Sequence, residues 1–340
     1  MKRDDAASIA PETPERETIA ARWTILGVVA FVLGFTYVTN AWLVAAPAFW
    51  RGVHDDRGTY SAEALQLEAR LRLMQGRGPR IVLIGSSIAG SNVAPRLLEK
   101  RLGLPLGAVL ALPLPAASAV ESAMLTALIE AMQPDLVVYI ASMWTLHRQV
   151  EWDLLRFYDP RLAWHLLSSA EIFHDRVAHA YGLLQAAHVV VRHREALRRA
   201  VFPSLYGYER GSPSLLTQVN QQRDEVRRRA QRADFSCDSV QIEALRWMAQ
   251  RLAQKNIRFA TAVVSSTPAM EQRMRLRRRV DDCFAQTAAQ DGYLSIARGA
   301  LTISRSERLD GMHFNLHGAR KYTEHLAVGL VDIVAPGTQH

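Results

Sequence analysis

The residue types most able to do chemistry here are a serine at the end of an apolar run and a histidine with a carboxylate three residues before it. The serine is Ser87, which closes Ile81-Val82-Leu83-Ile84-Gly85-Ser86-Ser87, and the pair lies in Asp310-Gly311-Met312-His313-Phe314-Asn315. A serine hydroxyl is a weak nucleophile until a base takes its proton, which assigns His313 as general base and then general acid. Asp310 would accept from the second ring nitrogen, fix the tautomer and stabilise the imidazolium formed during attack. The bland reading makes Gly-Ser-Ser a surface turn and Asp310 an ordinary helix N-cap, with His313 on the first helical turn. His317 stands four residues after His313, the spacing of a helical metal pair, but no third ligand is evident. No metal and no cofactor is therefore expected, and His317 reads as a partly exposed helix residue.

These residues need elements to carry them. Strand-like apolar runs fall at Arg80–Ile84, Ala108–Leu112, Leu136–Ile140, Arg258–Val264 and Tyr293–Ile296, and helix-like runs at about 94–102, 117–132, 240–255, 269–290 and 316–334. Strands alternating with helices predict a parallel sheet covered on both faces, and an unbroken apolar strand such as Leu136-Val137-Val138-Tyr139-Ile140 suits such a sheet. The fold class expected is α/β, a flavodoxin-like three-layer sandwich over residues 79–340, with ligands at the carboxyl ends of the strands. Ser87 then follows the first strand, and His313 precedes the last helix. The alternation lapses at about 145–235 into helical sequence carrying Trp152, Trp164 and many arginines, which reads as a helical insertion.

Ahead of the domain, a transmembrane helix is expected at 22–50, because the stretch from Trp23 to Trp50, flanked by Arg22 and Arg51, is uncharged and long enough to cross a hydrocarbon core of about 30 Å at about 1.5 Å per residue. Trp23, Trp42 and Trp50 suit interfacial anchoring, and Pro47 marks the exit. Ala46-Pro47-Ala48 has the small-x-small form of a signal-peptidase site, but the apolar run far exceeds the roughly 7–15 residues of a signal core, which favours an uncleaved anchor. Lys2, Arg3, Arg16 and Arg22 before the span outnumber Arg51 and Arg57 just after it, predicting a cytoplasmic N-terminus and an extracytoplasmic domain. Residues 1–21 read as a disordered tail and 51–78 as a stalk with helical character.

The formal charge of +8 comes mainly from arginine, with clusters at Arg227-Arg228-Arg229 and Arg277-Arg278-Arg279. No nucleic-acid motif accompanies them and the domain is expected outside the cell, so nucleic acid is excluded as a partner; a solvated helix face is the favoured explanation of the runs, and attraction to anionic headgroups or an acidic glycan is the other. Cys237 and Cys283 are the two cysteines. A disulfide between them and two buried free thiols both fit an extracytoplasmic domain.

The terminal block Asp310-Gly-Met-His-Phe-Asn-Leu-His-Gly-Ala-Arg-Lys-Tyr322 and the Gly-Ser-Ser turn after the first strand resemble the SGNH (GDSL-type) esterase and acyltransferase superfamily. Ser86 stands where its commonest form has Asp, a variant similar to the elbow of the DltD-like proteins of teichoic-acid D-alanylation. The resemblance implies Ser87 as nucleophile, His313 as base and Asp310 as its orienting carboxylate. The block that usually contributes a glycine N–H reads Leu112-Pro-Leu-Pro-Ala-Ala-Ser118, and the block that usually carries an Asn reads Ala141-Ser-Met-Trp144. Neither residue is present, so the oxyanion donors expected are the N–H groups of Ser87 and of Ala116 or Ala117, with the Ser142 hydroxyl. By this resemblance the chain is a periplasmic-facing, single-pass inner-membrane enzyme that transfers or removes a small acyl group on a cell-surface or exported polysaccharide such as alginate. Its expected partners are a membrane-bound O-acyltransferase or a polysaccharide synthase and export complex, with a glycan or acyl-carrier substrate. Two other readings are a non-catalytic subunit that recruits such a complex, and a lipase or thioesterase with an acyl groove in the insertion.

Overall fold

The computed structural model describes residues 14–47, 78–114, 117–142, 160–166, 240–264, 285–290, 292–296 and 301–334, with Glu68, Ala69, Leu73, Val189 and Cys283 as isolated positions. The N-terminal segment and the remainder form two separate compact units.

The first unit is one helix, α1, over Pro14–Ala45. Its Ala21–Ala45 portion has a mean hydropathy of 1.8 and, by length and composition, is long enough to cross a membrane. Its large apolar side chains, Trp23 through Trp42, are exposed on every side, with no polar face to solvate. The helix begins earlier than expected: residues 14–21, read above as disordered tail, are helical. Pro14 sits where a helix needs no N–H, and extending an existing helix costs far less than nucleating one, so the apolar run recruits the charged turns before it. It ends at Ala45, before Trp50, because Ala46 precedes Pro47 and is biased out of the helical region.

The second unit is built on a five-stranded, wholly parallel sheet. The strands are β1 (Ile81–Gly85), β2 (Val109–Pro113), β3 (Leu136–Ala141), β4 (Arg258–Val263) and β5 (Leu294–Ile296), in spatial order β2-β1-β3-β4-β5. Central β1 and β3 are buried at every residue, as continuous apolar runs require when both faces are covered. One face carries α2 (Ser87–Ser91), α3 (Pro95–Leu102) and α8 (Leu316–Val334), packed on Ile81, Leu83, Val138 and Ile140. The other carries α4 (Ala119–Ala123), α5 (Thr126–Met132), α6 (Pro160–Leu166) and α7 (Val240–Ala253), packed on Val82, Ile84, Val137 and Tyr139.

The single helix expected at about 117–132 is two, because the chain turns at Met124 and Leu125. Ser118 and Glu121 form a reciprocal capping box that starts the first of them. Within the insertion, α6 is helical as expected and docks on α7 through Leu162 and Leu166 and a 2.6 Å contact between His165 Nε2 and Glu243 Oε1. Apart from Val189, which is helical and buried, the rest of the insertion lies outside the described residues, as do most of the stalk and most of 269–290; within these segments Glu68 and Ala69 are helical and buried, and 285–290 are helical.

Candidate active site

Ser87 is positioned by an abrupt change of backbone direction. Gly85 ends β1 with φ of +144°, and a Cβ there would stand 2.6 Å from the Ile140 carbonyl oxygen of the neighbouring strand. Glycine alone accepts that conformation and that approach. Ser86 then takes an extended conformation and Ser87 opens α2, so the Ser87 hydroxyl sits just beyond the carboxyl ends of β1 and its neighbours, where Gly85 is level with Pro113 and Ile140. Gly90 lets α2 lie against the end of β2, since a Cβ there would meet Pro113 Cγ at 2.9 Å. The Ser86 hydroxyl is buried without a hydrogen-bond partner among the described residues.

His313 arrives from the other end of the chain on a small closed loop. Arg308 and Phe314 form an isolated antiparallel bridge, and the Leu309 N–H donates to the His313 carbonyl at 2.9 Å. Arg308 braces this neck: its guanidinium lies 4.9 Å from the Phe314 ring centroid and donates to the carbonyls of Ile303 and Gly311. Inside the loop Asp310 Oδ1 accepts from the N–H groups of Met312 at 2.7 Å and His313 at 2.8 Å.

The triad closes with Asp310 Oδ2 2.7 Å from His313 Nδ1, and His313 Nε2 2.8 Å from Ser87 Oγ. An ionised carboxylate only accepts, so Nδ1 carries the proton and Nε2 presents its lone pair to the Ser87 hydroxyl. Partial burial works against ionisation of Asp310, but the bonds from the His313 ring and from the two backbone N–H groups outweigh it and hold the carboxyl well below the usual range. The acid therefore stays charged, as an orienting group must. The simple N-cap explanation of Asp310 does not hold. α8 starts at Leu316 and is capped by Asn315, whose Oδ1 accepts from His317 at 3.0 Å and Gly318 at 3.2 Å.

Ser87, His313 and Asp310 thus meet as their types suggested, although 226 positions separate the serine from the histidine. The oxyanion candidates fare differently. Ser87 opens a helix, so its N–H has no intrahelical acceptor. Ala117 is corrected: its N–H donates to the Leu114 carbonyl at 3.0 Å, closing a turn after β2, and is not aimed at a ligand. Ala116 lies outside the described residues. Ser142 is buried at the carboxyl end of β3. His317 is exposed on the first turn of α8, and both ring nitrogens of His313 are already engaged, so the two do not form a metal pair. Cys283 is buried and disulfide-bonded; Cys237 lies outside the described residues.

Sequence reasoning missed Asn92. This residue, the C-cap of α2, is wholly buried and hydrogen-bonds both peptide groups that flank His313. An asparagine shortly before a proline reads as an ordinary helix end, and nothing in its neighbourhood announces a partner so distant in sequence.

No protein-family model matches this chain, and no curated protein is detectably similar to it.

Proposed function

We propose that this chain is a membrane-tethered, SGNH-type serine acyl-ester enzyme. The observation that carries the reading is the continuous path from Ser87 Oγ through His313 to Asp310, assembled from opposite ends of the chain at the carboxyl ends of a parallel sheet. The strand order is that of flavodoxin-like doubly wound folds, which bind ligands at this edge. In the first half-reaction the Ser87 hydroxyl proton passes to His313 Nε2 as Oγ bonds to the acyl carbonyl carbon. The tetrahedral intermediate then collapses, its alkoxide leaving with the proton returned from Nε2, and Ser87 holds the acyl group. In the second half-reaction Nε2 takes a proton from water or from a sugar hydroxyl as its oxygen bonds to the acyl carbon, and returns it to Ser87 Oγ as the ester bond to Ser87 breaks. Hydrolysis and transfer differ only in that acceptor.

The oxyanion is assigned to the Ser87 N–H, with the Ala116 N–H and the Ser142 hydroxyl as further donors; one donor typically contributes a hundred- to a thousandfold in rate. A helix long and apolar enough to span a membrane, with its preceding segment richer in Lys and Arg, supports tethering with the catalytic domain on the extracytoplasmic side. That location suits a small acyl group on a cell-surface or exported polysaccharide, delivered by a membrane-bound O-acyltransferase or a lipid-linked carrier. The test is labelling of the full chain in detergent with a fluorophosphonate probe. Wild type is expected to label, and Ser87→Ala and His313→Ala are not; a folded wild type that stays unlabelled would sink the enzymatic reading and leave a recruiting subunit in its place.

A further inference from the structure

We infer that Asn92 is the positioning residue of this site, a clamp that sets His313 in register with Ser87; the inference rests on the acyl-ester reading only for its catalytic consequence. The Asn92 side chain is completely buried. Its Nδ2 donates to the Met312 carbonyl at 2.9 Å, and its Oδ1 accepts from the Phe314 N–H at 2.8 Å and from the Ser91 hydroxyl at 2.9 Å. The orientation of the amide follows from these partners, because one end meets a carbonyl and the other meets two donors.

Met312 and Phe314 flank His313, so the amide grips the base's backbone on both sides. It does so as a neighbouring strand would, with one acceptor and one donor. The other end of Asn92 is fixed too, since its backbone N–H donates to the Ile88 carbonyl at 2.9 Å and ends the short helix that Ser87 begins. Nucleophile and base are thereby joined through one helix and one side chain. The 2.8 Å contact between Ser87 and His313 therefore does not depend on the loop finding its own place. The Asp310 bonds shape the loop internally; only Asn92 among the polar contacts described ties it to the element carrying the nucleophile, apart from the reacting pair itself. A displacement of about 1 Å between reacting groups costs on the order of a hundredfold in rate, and hydrogen bonds, being directional, control such distances better than apolar contacts do.

The test compares Asn92→Ala, Asn92→Asp and the remote core variant Leu252→Ala with wild type, all as full chain in detergent. Fluorophosphonate labelling is scored per folded molecule and amide hydrogen exchange at Phe314 is followed. In wild type the Phe314 amide should exchange slowly. Asn92→Ala should exchange it at the rate of an open loop and label about a hundredfold more slowly. Asn92→Asp keeps the volume and the acceptor for Phe314 but sets a carboxylate oxygen against the Met312 carbonyl, so it should fold and still label slowly. Leu252→Ala should lower Tm and leave the labelling rate of the folded protein unchanged. Fast Phe314 exchange in wild type overturns the clamp without any variant, and so do folded Asn92 variants that label at the wild-type rate. If wild type does not label at all, the acyl-ester reading falls, and the clamp stands or falls on whether Asn92→Ala or Asn92→Asp releases the Phe314 amide.

Discussion

The two faces of the sheet are held together in different ways. Over α4, α5, α6 and α7 the contacts are mainly apolar, with Leu245, Met248, Leu252 and Ile129 buried against Val82, Ile84 and Tyr139. The polar bonds described there tie helix to helix: besides the capping box of α4, the Gln241 side chain accepts from the Val120 N–H, Arg251 pairs with Glu130 and His165 meets Glu243, and none of them touches Ser87, His313 or Asp310. Over α2, α3 and α8 the polar bonds run between the two ends of the chain. Ser87 meets His313, Asn92 grips Met312 and Phe314, Thr323 accepts from the Ala94 N–H where α3 begins, and Arg101 pairs with Glu324. Apolar burial is non-directional and supplies stability, whereas hydrogen bonds fix distances. One face therefore stabilises the sheet, and the other sets a geometry upon it.

The largest effect expected is on the second face. Ser87→Ala removes one oxygen that is only partly buried, so Tm should change little while acyl-ester turnover falls by about a millionfold, the scale seen when a triad nucleophile is lost. Turnover within tenfold of wild type would show that Ser87 is not the nucleophile.

Asp310→Asn comes next, with a loss of about ten-thousandfold expected because the amide can favour the wrong His313 tautomer. This variant also has a pH signature. The folded-state carboxyl is held below its usual value, so its stabilising contribution is complete above the unfolded value of about 3.9 and is lost as pH falls through the folded one. Wild type should therefore lose more Tm than Asp310→Asn on acidification below about pH 4. Parallel Tm-against-pH curves for the two would refute the charged role of Asp310.

Much of this is legible in the sequence, and the part that is not has a physical reason. The five strands declared themselves because buried parallel strands are nearly pure apolar runs, and β1 to β5 fall within a residue or so of those runs. Ser87, His313 and Asp310 could be chosen by type, since few side chains can serve as nucleophile, base and orienting acid. The break at Met124 and Leu125 was hidden because helical periodicity continues through it. Asn92 was hidden for a stronger reason. Its role exists only when α8 has packed on α3 and brought the His313 loop over α2, and no local pattern records a hydrogen bond to a residue more than two hundred positions away. The Ala117 expectation failed because a turn already uses its N–H, and such turns are set by backbone dihedrals that Pro-Ala-Ala does not specify.

Leu252→Ala probes the apolar face. Leu252 is fully buried in α7, and its truncation should cost about 2–5 kcal/mol through lost burial and the cavity left behind. The comparison is sharpened if denaturant unfolding shows that loss while the folded fraction keeps its wild-type labelling rate. It is broken if reactivity falls with stability, for then the core also sets the distance between Ser87 and His313.

The smallest effect is expected at the amino end of the strands, away from both faces. Arg80 Nε lies 2.7 Å from Asp135 Oδ2, linking the residue before β1 to the residue before β3. The contact is short, but the two side chains remain 45% and 46% exposed, so water and salt screen them and holding them still costs entropy. Arg80→Ala should therefore cost no more than about 1 kcal/mol and leave labelling unchanged, with the difference from wild type shrinking as salt is raised. Backbone bonds already do the work at this edge, since the Asp135 and Leu136 N–H groups both reach the Arg80 carbonyl, and these survive the substitution. A larger, salt-insensitive loss would mean that strand registration at the amino end depends on the ion pair. Polar ties between distant segments would then set geometry throughout the sheet, rather than on the face that carries Ser87 and His313.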